Sequence, residues 1–178
     1  MYCCKLDLDI EPLINSRCFN IKHSLWSDIP IEAINPELKI FLHEKELTIF
    51  RSEIFVRGIG DDSDIHIDGK YESDLGKINF IYQGKQSVMS WYKPKLDKSS
   101  FSINDKTSSS YIEYDQSEVE LLHSEENMDG CYLVQTGIPH VVRNPHEIRY
   151  CICIVPLNKK LQRPTFNELK EKFEDILE

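Results

Sequence analysis

Short stretches of alternating apolar and polar residues make up most of this chain, and helical periodicity is confined to its ends. Leu47-Thr48-Ile49-Phe50 and Glu53-Ile54-Phe55-Val56 are rich in β-branched and aromatic residues and predict two strands, closed by Gly58 and Gly60. After the polar loop Asp61-Asp62-Ser63-Asp64 the alternation resumes as Ile65-His66-Ile67-Asp68. Residues 77–82 and 87–92, split by Gln83-Gly84-Lys85, read as a hairpin. Strands are expected again at 111–114, 119–123, 131–135, 140–143 and 148–156. Between them, the Lys- and Ser-rich stretch 93–110 has little to bury and reads as a mobile loop or lid.

Two segments carry the helical period. Pro36 suits a first helical turn and predicts a short helix through His43. Thr165 with Glu168 is a capping-box pattern, and Phe166, Leu169, Phe173, Ile176 and Leu177 share one face of a closing helix over 165–178. Residues 1–30 show no clean period. About eight strands with short turns and helices at both ends predict a mainly β sandwich or roll. One domain over 1–178 is expected, with its β core at about 47–157.

Composition narrows the partners. The chain has 178 residues, enough for a real core, and a formal net charge of −9. No basic footprint offsets that charge, which argues against general nucleic-acid binding and against anionic membranes. The N-terminus lacks the charged start and apolar core of a signal peptide, and no apolar run approaches a membrane span. Of six cysteines, Cys3 and Cys4 are adjacent, Cys151 and Cys153 share one expected strand, and no C-x-x-C occurs. That placement reads as small buried thiols in a reducing, cytoplasmic setting rather than as disulfides or a zinc ribbon.

The candidate chemistry lies in three places. Side chains two apart on a strand point the same way, so His66 and Asp68 project together. His140, after the turn Gly137-Ile138-Pro139, offers a third donor at a strand start. Two imidazoles and one carboxylate on one face of a metal are the ligand set of non-haem Fe(II) oxygenases. If 140–143 and 148–156 form a hairpin around Asn144-Pro145-His146-Glu147, Arg149 lies diagonal to His140 at a Cβ separation of roughly 7–8 Å. A guanidinium there could grip a carboxylate-bearing cosubstrate. Asp64 shares the expected strand face of His66 and Asp68, whereas His23, His43, His123 and His146 lack suitable partner spacing. Taken singly, an H-x-D pair, a histidine after a turn or an arginine at a strand start is ordinary.

The series His66-Ile67-Asp68-Gly69, Ile78-Asn79-Phe80, Trp91-Tyr92, Gly137-Ile138-Pro139-His140-Val141-Val142-Arg143-Asn144 and Arg149 resembles the 2-oxoglutarate/Fe(II)-dependent oxygenases, in particular small single-domain members of phages and bacteria. The resemblance covers roughly residues 47–157. It implies a double-stranded β-helix, the jelly-roll or cupin-like fold. It implies that His66, Asp68 and His140 bind Fe(II) and that Arg149 pairs with the distal carboxylate of 2-oxoglutarate, with O2 as the second cosubstrate. The outcome it implies is hydroxylation of a small molecule or of a peptide or protein side chain, with release of succinate and CO2. By the same analogy Asn79 faces the cosubstrate, Tyr82 contacts it, and Trp91 and Tyr92 wall the substrate pocket. Packing is the competing role for all four. Many relatives carry serine or threonine two residues past the arginine; here Cys151 stands there, a weak donor. Two other functions remain open: a cupin-like metalloenzyme of another class, such as an isomerase or a cofactor-free dioxygenase, and a non-catalytic jelly-roll binding module. Substrate identity and oligomeric state are not legible.

Overall fold

A computed structural model describes residues 1–178 except 15–24, 69–74, 84, 97–101, 105–108 and 144–145. Among the described residues, twelve strands form two six-stranded antiparallel sheets. They are β1 (Cys3–Leu6), β2 (Leu25–Asp28), β3 (Leu47–Arg57), β4 (Ile65–Asp68), β5 (Gly76–Tyr82), β6 (Val88–Pro94), β7 (Ser102–Asn104), β8 (Ser109–Tyr114), β9 (Val119–Glu126), β10 (Gly130–Gln135), β11 (His140–Arg143) and β12 (Arg149–Asn158). The first sheet has the order β1-β10-β5-β12-β3-β2, the second β7-β8-β4-β11-β6-β9. From β3 to β6, and again from β9 to β12, the chain changes sheet at every connection.

That alternation overturns both expected hairpins. The strands β5 and β6 belong to different sheets, and so do β11 and β12. A short connector steps between facing layers as readily as it closes a hairpin, and local periodicity does not distinguish the two. Gly84, Asn144 and Pro145 of the two expected turns lie outside the described residues. Other expectations shift as well. The pair 47–50 and 53–56 is one strand, β3, whose register against β12 slips between Val155 and Pro156. Proline cannot donate to the ladder, and a bulge accommodates it without ending the strand. The expected loop 93–110 contains β7 and the start of β8; its segments 97–101 and 105–108 lie outside the described residues. Residues 1–30, without a readable period, supply the edge strands β1 and β2.

Both helices start where their caps predict. Asn35 accepts from the Glu37 N–H at the head of α1 (Pro36–Glu44), and Leu38 and Leu42 bury one face. Thr165 and Glu168 close the capping box of α2 (Phe166–Lys172), which is shorter than expected and followed by a 3-10 turn at Glu174–Ile176.

Strand parity sorts the core into layers. Ile78, Phe80, Ile152 and Ile154 pack outward with Leu38, Leu42, Phe166 and Leu169 of the helices. Ile81, Met89, Trp91, Val134 and Cys151 fill the space between the sheets. Ile65, Ile67, Tyr92, Ile112 and Val141 cluster on the other face of the second sheet. The central strands β5 and β12 are thus buried on both faces, so their inward residues face the opposite sheet, not solvent. At one end of that inter-sheet space the inward residues are polar. No helix among the described residues is long and apolar enough to cross a membrane. The five described cysteines are free and buried; Cys18 lies outside the described residues.

Candidate metal centre

The site begins with one cross-strand pair. His66 on β4 lies directly opposite His140 on β11, so both imidazoles project from the same face of the second sheet. Their ring centroids are 4.6 Å apart. Asp68, two residues past His66, joins them by strand parity, with its Oδ1 3.4 Å from His66 Nε2. One donor atom from each of the three lies within 4.8 Å of the others.

Main-chain carbonyls fix how the two histidines present themselves. His66 Nδ1 lies 2.7 Å from the Asp64 carbonyl, and His140 Nδ1 lies 2.9 Å from the Ile138 carbonyl. A carbonyl only accepts, so each Nδ1 carries the proton and each Nε2 keeps a lone pair for a cation. Such outer hydrogen bonds are how proteins orient ligating imidazoles. The loop before β4 is pinned for this purpose: Ser63 donates its N–H to the Val142 carbonyl at 2.9 Å, and Val142 donates to Ser63 Oγ at 2.8 Å. Asp64 itself contributes only its carbonyl here; its side chain is exposed.

A recess opens over the three donors, about 590 Å3 counted out to its open mouth. Lys77, Asn79, Arg149 and Cys151 line it from the facing sheet. Lys77 Nζ reaches across to Asp68 Oδ2 at 2.7 Å, with Glu53 Oε2 at 3.8 Å. Burial pushes the Asp68 carboxyl up, but the Lys77 charge, with the His66 and His140 imidazoles beside it, outweighs that and holds it well below the usual carboxylate range. Burial pulls the His66 imidazole down, yet the Asp68 carboxylate leaves it raised. His140 is lowered to about 4, chiefly by burial and then by the neighbouring His66.

Three buried polar atoms around the recess have no hydrogen-bond partner: Asn79 Oδ1, Thr136 Oγ1 and Arg149 Nε. Arg149 is 4 % exposed, and no carboxylate among the described residues pairs with it. Its neighbours are the Cys151 thiol and the like charge of Arg57, its register partner on β3. A buried guanidinium without a counter-ion is costly, and buried polar groups ordinarily have partners. The donor set N, N, O suits a ferrous ion, and the orphaned atoms suit a bound anion with further acceptor and donor groups.

The expected residues thus divide. His66, Asp68, His140, Arg149, Asn79 and Cys151 line one recess. Arg149 arrives from the facing sheet and not along a hairpin with His140, which corrects the route by which it was placed. Tyr82 does not face the recess: it is on the opposite face of β5 from Asn79, and its hydroxyl donates to Glu11 Oε2 at 3.0 Å. Trp91 is fully buried in the inter-sheet core, donating Nε1–H to the Gln135 carbonyl at 2.8 Å. Tyr92 packs on the far face of the second sheet, because successive side chains of β6 alternate and Trp91 takes the inward face. Phe55, Met89 and Val142 supply the apolar wall instead. Lys77 and Thr136 were not singled out from the sequence. The signal for Lys77 was its place two residues before Asn79, on the same strand face.

Lys77 has a testable consequence. Lys77→Met is expected to destabilise the protein by about 3 kcal/mol, the low end for breaking a buried pair, since Glu53 keeps Arg51 at 3.2 Å while Asp68 is left without a cation. A divalent cation should restore more stability to this variant than to wild type, read as the shift in urea midpoint with and without metal. Equal shifts would show that Lys77 does not compete with a cation for Asp68.

No family model matches the chain, and no curated protein matches it. Among solved structures it is similar to the X-ray structure of E. coli ycfD, at 19% sequence identity and a TM-score of 0.36. The match covers 71% of this chain and 29% of that one, so the chain spans under a third of that protein's length.

Proposed function

We propose that the protein is a non-haem Fe(II)- and 2-oxoglutarate-dependent oxygenase built on a double-stranded β-helix. The observation that carries this reading is the pairing, in one recess, of a His66/Asp68/His140 donor set with a buried Arg149 that has no carboxylate of its own. The strand order supports the fold: β3, β12, β5 and β10 are consecutive in one sheet and β4, β11, β6 and β9 in the other, the interleaving expected of a jelly roll. In this reading His66 and His140 offer Nε2, and Asp68 supplies the one anionic ligand. With 2-oxoglutarate and O2, bound Fe(II) supplies hydroxylation of a C–H bond, with release of succinate and CO2. The protein's own part is to bind, orient and shield. Arg149 anchors the distal carboxylate, Asn79 and Thr136 offer hydrogen bonds, and Phe55, Met89 and Val142 keep water from one side. The substrate is a small molecule or a peptide or protein side chain that enters by the open mouth. The experiment is succinate formation from 2-oxoglutarate under air by protein loaded with Fe(II), lost on chelation; no succinate at any iron loading would remove the reading.

The imidazoles also set a pH dependence. Metal binding needs both neutral. His140, lowered to about 4, stays neutral through the working range, whereas His66, raised above 6.5, protonates first. A raised imidazole loses its proton only as pH rises through the raised value, so affinity falls as pH drops through that value. The expected profile for Mn(II), an oxidation-stable stand-in, is a one-proton slope that begins above pH 6.5 and becomes steeper only near 4. A two-proton slope centred on the ordinary histidine value would contradict it.

A further inference from the structure

At one edge of the inter-sheet space, two strands along from His140, we propose that Cys3, His123 and Glu125 form a second site, for a zinc-class divalent cation, that joins the edge strands of the two sheets. Cys3 is on β1 at one edge of the first sheet; His123 and Glu125 are on β9 at an edge of the second. One donor atom from each lies within 4.8 Å of the others, and His123 Nε2 is 3.2 Å from Glu125 Oε2. In a tetrahedral zinc site with bonds of about 2.0–2.3 Å, donors stand about 3.3–3.8 Å apart, so a small contraction brings the three onto one ion and leaves the fourth position to water. Thiolate, imidazole and carboxylate are the zinc donors, and one thiolate plus one carboxylate neutralise a divalent charge.

The convergence depends on a local irregularity. Tyr92 pairs with Leu121, but Trp91 pairs with His123, leaving Leu122 as an extra residue. Without that bulge His123 and Glu125 would continue the face of Val119 and Leu121, on the far side of the sheet. The bulge inverts the parity and turns both side chains inward, toward Cys3. Cys3 in turn pairs with Val134, an inter-sheet core residue, whereas Cys4 pairs with Leu133 in the outer cluster. Only Cys3 of the adjacent pair therefore faces the site. The imidazole is held by aromatic rings: Trp91 at 5.8 Å and Tyr2 at 6.0 Å between centroids. Trp91 is itself fixed by its bond to Gln135. No lysine or arginine among the described residues pairs with Glu125, whose described partner is His123.

Co(II) titration of the full chain under reductant tests the site, because thiolate ligation to Co(II) gives an intense near-ultraviolet charge-transfer band. The expected result is a band that is abolished by Cys3→Ser, is bleached by Zn(II), and in His66→Ala, where the recess no longer competes for the ion, persists and saturates at one equivalent. Glu125→Gln, at a half-exposed position that leaves the core intact, should weaken Co(II) by at least tenfold, and Zn(II) should raise the Tm of wild type more than that of Glu125→Gln. No band in wild type, or a band undiminished in Cys3→Ser, would overturn the proposal. So would a band lost in His66→Ala, since that places the thiolate at the recess. The oxygenase reading does not enter these outcomes.

Discussion

Asp68→Asn is expected to reduce Fe(II) affinity by at least about 100-fold, above the 10–100-fold cost typical of losing an outer hydrogen bond to a ligand, and to bring succinate formation to background. Asp68 is the only carboxylate of the three-donor cluster, and without it two neutral imidazoles face a dication. Asparagine keeps the size and an acceptor oxygen for Lys77, which lies 2.7 Å from Asp68 Oδ2. A merely structural Asp68 would therefore tolerate the change in metal binding. Lys77 also keeps Glu53, so the variant should stay folded. Equilibrium dialysis with Fe(II) under anaerobic conditions reads the affinity, and near-ultraviolet circular dichroism checks the fold. Wild-type affinity in Asp68→Asn would place the metal elsewhere.

Arg149→Ala should leave Fe(II) affinity unchanged while weakening 2-oxoglutarate. Truncating one partner of a buried charge pair costs about 2–5 kcal/mol, which is roughly a 30- to 4,000-fold loss of affinity. The loss should appear in the KM for 2-oxoglutarate. Arg149→Lys retains the charge but replaces a planar fork with a point donor, and should fall between the two. The variant also tests the competing function: a cupin-like metalloenzyme that does not use 2-oxoglutarate would keep its metal and lose nothing traceable to this cosubstrate. Because Arg149 has no carboxylate partner among the described residues, alanine breaks no ion pair of the protein itself.

The site was legible in the sequence where it depends on parity within one strand. His66 and Asp68 share a face because they are two apart, and Arg149, Cys151 and Cys153 share one for the same reason. Which strands face each other was not legible. Residues around 83–85 and 144–147 read as hairpin turns, yet each joins strands of opposite sheets. The geometry offered for Arg149 was accordingly wrong in route, although the side chain does line the recess. Trp91 and Tyr92, adjacent on one strand, face opposite layers by alternation alone and so could not both wall one pocket. A bulge is the second limit: one extra residue in β9, Leu122, inverts every later side chain of that strand without any mark in the hydrophobic pattern. The same bulge brings His123 and Glu125 to Cys3, a convergence across 120 residues of chain that spacing does not reveal. Lys77 was missed because a lysine at a strand start ordinarily reaches solvent, whereas here the facing sheet covers it and two carboxylates compensate it.

In the proposed reading, one recess holds a ferrous ion on His66, Asp68 and His140 beside a dicarboxylate on Arg149. Anaerobic titration of the Fe(II)-loaded protein with 2-oxoglutarate tests it most directly. A visible metal-to-ligand charge-transfer band, saturating at one equivalent and right-shifted to much higher 2-oxoglutarate concentration in Arg149→Ala, is the predicted result. An iron-loaded protein that develops no band at saturating 2-oxoglutarate would contradict it.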